Sequence, residues 1–142
     1  MKKINIGQFG ITSDETLSKL CEELDIKLNF IGFDHELLSQ AVPYEDGAYI
    51  LNIGDTTGTH WVCFNALGDK VFYFDSFAVP PSNDLITYLS VQGIDMLYWN
   101  NVEQFQQLNE ELCGLWCVVA LWYLQHKPGT LPARFLEMSY DI

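Results

Sequence analysis

Three residues of this sequence have the chemistry of a thiol nucleophile, a general base and an orienting carboxylate: Cys113, His60 and Asp75. Cys113 stands where the polar stretch 106–111 gives way to the apolar run 113–124, a boundary that predicts the first residue of a buried helix. The unpaired backbone N–H groups of a helix start, together with the positive end of its dipole, stabilise a thiolate. The boundary therefore predicts a cysteine whose sulfur can act as a nucleophile.

A predicted β-hairpin brings the other two residues together. The dipeptide Gly68-Asp69 lies between two β-like runs, 60–67 and 70–77, which is typical of a two-residue turn. In this register Leu67 pairs with Lys70, and the residue numbers of each pair sum to 137. His60 then pairs with Phe77 and Val62 with Asp75, so His60 and Asp75 are diagonal neighbours on one face, about 7–8 Å apart. A carboxylate in that place can hold one imidazole nitrogen and stabilise the imidazolium. A slip of one residue would separate the pair.

Thiol chemistry on a carbonyl also needs donors for the developing oxyanion. The backbone N–H of Cys113 is one candidate donor, and the side chain of Gln106 or Gln107, just upstream, is a second. Taken alone, either glutamine is expected to be an ordinary loop residue, and His60 a strand-end histidine bonded to backbone. The combination of residues is more informative than any of them singly.

The elements that must position these residues follow from hydrophobic periodicity and capping signals. The sequence predicts a helix over 13–25 capped by Thr12 or Ser13, a strand over 48–53, a short helix capped by Ser82, a strand over 94–99, and a helix over 113–125. Helices around a mostly antiparallel sheet indicate the α+β class. At 142 residues and 49% hydrophobic content, we expect one domain spanning residues 1–142.

The charge and the cysteines restrict the functional classes. Seven basic and 19 acidic residues give a formal charge of −12, which disfavours autonomous nucleic-acid binding and favours basic partners. The four cysteines form no Cys-x-x-Cys pair, so we expect neither a disulfide framework nor a zinc site, and no cofactor. No apolar run is long enough to span a bilayer, and the first residues do not resemble a signal peptide. We expect a soluble protein that is not secreted.

Three motifs together resemble a known family. They are Gly58-Thr59-His60-Trp61-Val62, then Tyr73-Phe74-Asp75-Ser76-Phe77 with Pro80-Pro81, then Gln106 leading to Leu112-Cys113-Gly114-Leu115-Trp116-Cys117. In this order and spacing they resemble the adenovirus protease group of cysteine proteases, to which the SUMO-deconjugating proteases also belong. The resemblance is closest to the maturation proteases predicted in virophages and Maverick/Polinton elements, and it is strongest over 48–125.

The resemblance implies a papain-like fold of the adenovirus-protease (adenain) type, with the nucleophile at the start of a buried central helix. It implies that Cys113 is the nucleophile, His60 the general base and acid, and Asp75 the orienting acid. Gln106, seven residues before the cysteine, matches the oxyanion donor of the adenovirus-like pattern. Gln107, six residues before it, matches the SUMO-protease pattern and stays an alternative.

The function implied by the resemblance is that of a viral cysteine endopeptidase. It would process capsid or other virion precursor proteins after small residues, notably glycine, within the virion and the infected cell (cytoplasm or virus factory). The negative charge is compatible with a basic peptide activator but not with activation by DNA. The main alternative is an isopeptidase that removes a ubiquitin-like modifier. An acetyltransferase on the same scaffold and an inactive protease fold are further alternatives.

Overall fold

The computed structural model describes residues 13–54, 60–99, 113–127 and 138–141 of the chain. In chain order its elements are α1 (Asp14–Glu23), β1 (Leu28–Phe33), α2 (Glu36–Ser39), β2 (Gly47–Asn52), β3 (Trp61–Leu67), β4 (Lys70–Phe74), α3 (Asn83–Val91), β5 (Met96–Trp99), α4 (Cys113–His126) and β6 (Met138–Asp141). The α+β class expected from the sequence is confirmed. The sequence patterns indicated neither β1 nor α2 nor β6.

The strands form one six-stranded sheet in the order β1-β2-β3-β4-β5-β6. β1 pairs with β2 and β4 with β5 in parallel, whereas the other three pairings are antiparallel. The sheet is therefore mixed. A parallel pair needs a crossover connection, and these two crossovers carry α2 and α3.

Helices cover both faces of the sheet. Alternate residues of β3 point to opposite faces, so Trp61 and Cys63 join a core with α1 and α4, while Val62 and Phe64 join a second core with α2 and α3. α4 packs mainly on β3 and also contacts β2, β4 and α1. Its first residue is consequently held next to the start of β3.

Two helices begin at the residues that the sequence indicated. The Ser13 hydroxyl accepts a hydrogen bond from the Thr16 N–H at 3.2 Å, which makes Ser13 the cap of α1; the alternative, Thr12, lies outside the described residues. The Ser82 hydroxyl accepts one from the Leu85 N–H at 3.3 Å at the start of α3. Both caps satisfy backbone donors that the helix leaves unpaired.

The hairpin has the predicted register. Its ladder runs from Leu67↔Lys70 to Cys63↔Phe74, and Gly68 in the turn has a φ of +62°, which favours glycine. Both strands are shorter than predicted, because a tight turn replaces the end of the second one: the carbonyl of Asp75 accepts a hydrogen bond from the Ala78 N–H at 2.8 Å. His60 and Asp75 therefore lie just beyond the ladder.

Among the residues that the structure describes, no helix is both long and apolar enough to cross a membrane. The longest of the described helices, α4, has 14 residues.

Candidate active site

Three of the predicted site residues meet at one end of the sheet. His60 comes directly before β3, Asp75 directly after β4, and Cys113 is the first residue of α4. β3 and β4 are antiparallel, so the start of one lies beside the end of the other. Because α4 packs on β3, its first residue reaches the same place. The fold thus brings the thiol, the imidazole and the carboxylate together.

His60 and Asp75 form an ion pair. His60 Nε2 lies 2.8 Å from Asp75 Oδ1, and the Asp75 side chain is 1% exposed against 19% for His60. The same carboxylate oxygen accepts a hydrogen bond from the Phe77 N–H at 2.8 Å. A buried carboxylate with these two donors holds the imidazole in one orientation.

The surroundings of His60 favour its charged form. Burial by itself lowers the pKa of the imidazole, but hydrogen bonds to Asp75 and Cys113, and the charges of both, outweigh it and raise this pKa from 6.5 to about 9. At neutral pH the group is therefore an imidazolium. Since Nε2 is held by Asp75, Nδ1 is the nitrogen left to face Cys113.

The sulfur of Cys113 receives three stabilising influences. The Trp61 N–H donates a hydrogen bond to Sγ at 3.2 Å, and the neighbouring His60 interacts with the thiol and carries a positive charge when protonated. The position of Cys113 as first residue of α4 adds the positive end of the helix dipole. Each of these favours negative charge on the sulfur, as nucleophilic thiol chemistry requires.

The other buried groups nearby are suited to packing. Burial raises the pKa of Cys21 to about 12 and that of Cys117 well above its usual range, so both stay neutral thiols. Burial likewise raises the pKa of Tyr73 well above its usual range. All four cysteines are free and buried, with Cys113 7% exposed and the other three at 0–1%. Cys21 lies on α1 in the core that α1 and α4 form with the sheet.

Gln106 and Gln107 lie outside the described residues, so the oxyanion donor stays a prediction. The first N–H groups of a helix have no partner within it, and Cys113 presents its own at the start of α4.

Two contacts at the site are not among the site residues assigned from the sequence. One is the Trp61 N–H on the sulfur, a backbone contact across 52 positions for which the sequence carries no signal. The other is Phe77, whose ring stacks on His60 with centroids 4.5 Å apart. The hairpin register placed Phe77 opposite His60, so the signal for this contact was present.

Within residues 13–54, 60–99, 113–127 and 138–141, no group of three or more His, Cys, Asp or Glu side chains is arranged to hold a metal ion. A comparison with protein-family models and with curated proteins gives no significant match.

Proposed function

We propose that this chain is a viral cysteine endopeptidase with an adenovirus-protease-like fold. In this proposal it hydrolyses peptide bonds in capsid or other virion precursor proteins after small residues, mainly glycine. One observation carries the proposal: adjacent residues of the chain bind the carboxylate and the thiol. His60 Nε2 lies 2.8 Å from Asp75 Oδ1, and the Trp61 N–H donates to the sulfur of Cys113, the first residue of α4, at 3.2 Å. A thiol, an imidazole and a buried carboxylate joined in this order constitute the arrangement that thiol proteases use.

The proposed reaction has two steps. The Cys113 thiolate attacks the scissile carbonyl carbon, and the Cys113 N–H stabilises the oxyanion together with Gln106, as the resemblance implies. His60, as imidazolium, gives its proton to the leaving amine, and a thioester remains on Cys113. His60 then takes a proton from water as the hydroxide attacks the thioester carbon, and the tetrahedral intermediate releases the acid product and the Cys113 thiolate, which restores the thiolate and the imidazolium. Asp75 stabilises the imidazolium throughout and accepts no proton.

The negative surface is compatible with a basic partner. Of the 142 residues 19 are acidic and 7 basic, so a basic precursor segment or a basic peptide activator would be attracted to the protein. This attraction should weaken as salt is added, because exposed charges are screened beyond about 8 Å at physiological ionic strength.

The test compares the wild type with Cys113→Ala and with Cys117→Ala. Cys117 lies one helical turn after Cys113 and is fully buried, so it controls for the loss of any cysteine from α4. Each protein is incubated with a peptide library and with candidate capsid precursors, with and without added basic peptides, and the cuts are mapped by mass spectrometry. A peptide vinyl sulfone ending in glycine labels the reactive thiol directly.

The proposal expects cuts after glycine and other small residues in the wild type and in Cys117→Ala, and none in Cys113→Ala. Labelling by the vinyl sulfone should occur at Cys113 alone. A wild type that neither cleaves nor becomes labelled, with basic peptides present, would overturn the proposal. Cleavage restricted to a folded modifier conjugate would replace it with the isopeptidase alternative.

A further inference from the structure

Phe77 contacts the His60–Asp75 pair in two ways. Its ring lies almost parallel to the His60 imidazole, with centroids 4.5 Å apart and planes inclined by 12°. Its backbone N–H donates to Asp75 Oδ1 at 2.8 Å, the same oxygen that lies 2.8 Å from His60 Nε2. One residue therefore touches both members of the pair, through different groups.

The local backbone fixes Phe77 relative to Asp75. The hydrogen bond from the Ala78 N–H to the Asp75 carbonyl closes a turn around Phe77. Ala78 has a φ of +58°, a left-handed conformation that is unfavourable for alanine and persists where the surroundings enforce it. The ring and the carboxylate thus reach His60 from a single rigid turn.

The stacked ring restricts what the imidazole can do. A histidine side chain can rotate about two bonds, and one hydrogen bond at Nε2 leaves the ring free to tilt about that contact. An aromatic face at 4.5 Å opposes the tilt and covers one side of the ring from water. The face also attracts the charge of an imidazolium. Tilting would move Nδ1 away from Cys113, and small misplacements of a reacting group cost large factors in rate.

We propose that Phe77 is a positioning residue, which holds the His60 ring against Asp75 and toward Cys113 by aromatic stacking and by its N–H bond to the carboxylate. The proposal rests on the proposed function, since the position of the ring affects a reaction only where His60 and Cys113 perform one. Phe77 itself touches no reacting atom in this scheme. Its effect passes entirely through His60.

The chain offers a matched control. Phe72 lies on β4, is half-buried like Phe77, and stacks on Tyr98 with centroids 5.2 Å apart and an interplanar angle of 18°. Phe72→Leu and Phe77→Leu remove comparable rings from comparable stacks, but only the second faces His60. Phe77→Tyr retains the aromatic face and is the conservative variant that should rescue function.

The experiment follows His60 and Cys113 separately. The charged or titratable groups that act on the imidazole are Asp75 and Cys113, so its NMR titration reports on these two contacts. The second readout is the rate at which iodoacetamide alkylates Cys113 between pH 5 and 10. Both are measured on the folded wild type and on Phe77→Leu, Phe77→Tyr and Phe72→Leu, well below the unfolding temperature of each protein.

In Phe77→Leu the titration midpoint of His60 should fall by about one pH unit toward its ordinary value, because the contact with Asp75 loosens. Alkylation of Cys113 at pH 7 should slow about tenfold. Phe77→Tyr and Phe72→Leu should keep the His60 midpoint within about 0.3 pH unit of the wild type and the alkylation rate within about twofold.

The inference is overturned if Phe77→Leu titrates and reacts as the wild type does, or if Phe72→Leu shifts His60 by the same amount. The proposed function fails in a different way, namely when the wild type itself does not cleave or label. The NMR titration decides the role of Phe77 in either case, because it requires no substrate.

Discussion

The backbone N–H of Trp61 lies 3.2 Å from the sulfur of Cys113 and donates a hydrogen bond to it. Trp61 is the first residue of β3 and directly follows His60, whereas Cys113 is the first residue of α4. The peptide that carries the imidazole therefore also holds the sulfur. A change in how the first turn of α4 packs on β3 would move the Cys113 sulfur relative to the Trp61 N–H and to His60. Packing of the core and geometry of the site are coupled at this point.

Replacing the Asp75 carboxylate by an amide should impair the reaction while preserving the shape of the side chain. In Asp75→Asn, His60 loses the charge that stabilises its imidazolium, so the pKa of His60 should fall below the wild-type value of about 9. Peptide cleavage should fall by about 10²–10⁴-fold, because the imidazole loses both charge stabilisation and orientation. NMR titration of His60 and steady-state kinetics measure the two effects.

Asp34→Asn is the control for this substitution. Asp34 is 8% exposed, and its carboxylate also accepts two hydrogen bonds, from the Ser82 hydroxyl at 2.7 Å and from the His35 N–H at 2.9 Å. It does not contact His60, so cleavage should stay within about twofold of the wild type when the variant is folded. If Asp34→Asn and Asp75→Asn lost cleavage activity to the same extent, both carboxylates would affect cleavage only by stabilising the fold.

The raised pKa of His60 predicts how stability depends on pH. Its value of about 9 in the folded protein exceeds the ordinary 6.5, so the folded state binds the proton more tightly than the unfolded state. The resulting stabilisation is fully present below about pH 6.5 and is lost as pH rises through about 9. It amounts to roughly 3 kcal/mol, since a difference of one in pKa corresponds to about 1.4 kcal/mol.

Urea unfolding at pH 6, 7.5 and 9.5 measures this dependence. His60→Gln should remove most of the decrease in the free energy of unfolding between pH 6.5 and 9. His126→Gln, which replaces a histidine at the far end of α4, should leave this decrease as in the wild type. An identical decline in the wild type and in His60→Gln would assign the pH dependence to other groups.

The parts of the site that the sequence predicts depend on local signals. The Gly68-Asp69 turn determines the hairpin register, and the register brings His60 and Asp75, just beyond the ladder, to the same end of the sheet. The change from polar to apolar residues likewise locates the start of α4 at Cys113. In both cases a short stretch of chain contains all the information that is needed.

The parts that the sequence does not predict depend on contacts between distant segments. The parallel pairing of β1 with β2 has no tight turn that the sequence could indicate. The contact of Trp61 with Cys113 likewise has no local sequence signal, because the two residues are 52 positions apart. The sequence predicts that β4 continues to residue 77, but it ends at Phe74. The turn at Asp75 interrupts a run of residues with strong β propensity. Side-chain and backbone hydrogen bonds of Asp75 outweigh that propensity.

Cys113 should be distinguishable from the other three thiols by reactivity. It is 7% exposed, contacts a cationic imidazole and lies at a helix start, whereas the other three are 0–1% exposed. A short treatment of the folded protein with iodoacetamide at pH 7 should modify Cys113 at least about 100-fold faster than Cys21 or Cys117, since the neutral thiol is the unreactive form. Peptide mass mapping identifies the modified residue.

Unfolding in urea supplies the control, because all four thiols should then react at similar rates. Modification of Cys117 before Cys113 in the folded protein would contradict this prediction. It would also remove the main chemical support for Cys113 as the nucleophile.

Gln125 should contribute to stability without affecting the reaction. Near the end of α4, its side-chain carbonyl accepts a hydrogen bond from the Lys27 N–H at 2.8 Å, and its amide donates to the Lys27 carbonyl at 3.0 Å and to Asn65 Oδ1 at 2.9 Å. Gln125→Ala removes all three bonds and deprives Asn65, which is 5% exposed, of this donor. The free energy of unfolding should fall by about 1–3 kcal/mol.

Gln40→Ala is the matched control, because the Gln40 amide makes an exposed hydrogen bond of 2.8 Å to Glu36 and should cost less than about 0.5 kcal/mol. Urea unfolding at pH 6 compares the two variants with the wild type. Alkylation of Cys113 should remain at the wild-type rate in Gln125→Ala, because Gln125 lies at the opposite end of α4 from the thiol. A loss of Cys113 reactivity in the folded Gln125→Ala protein would show that the site depends on the whole length of α4 and not on its first turn.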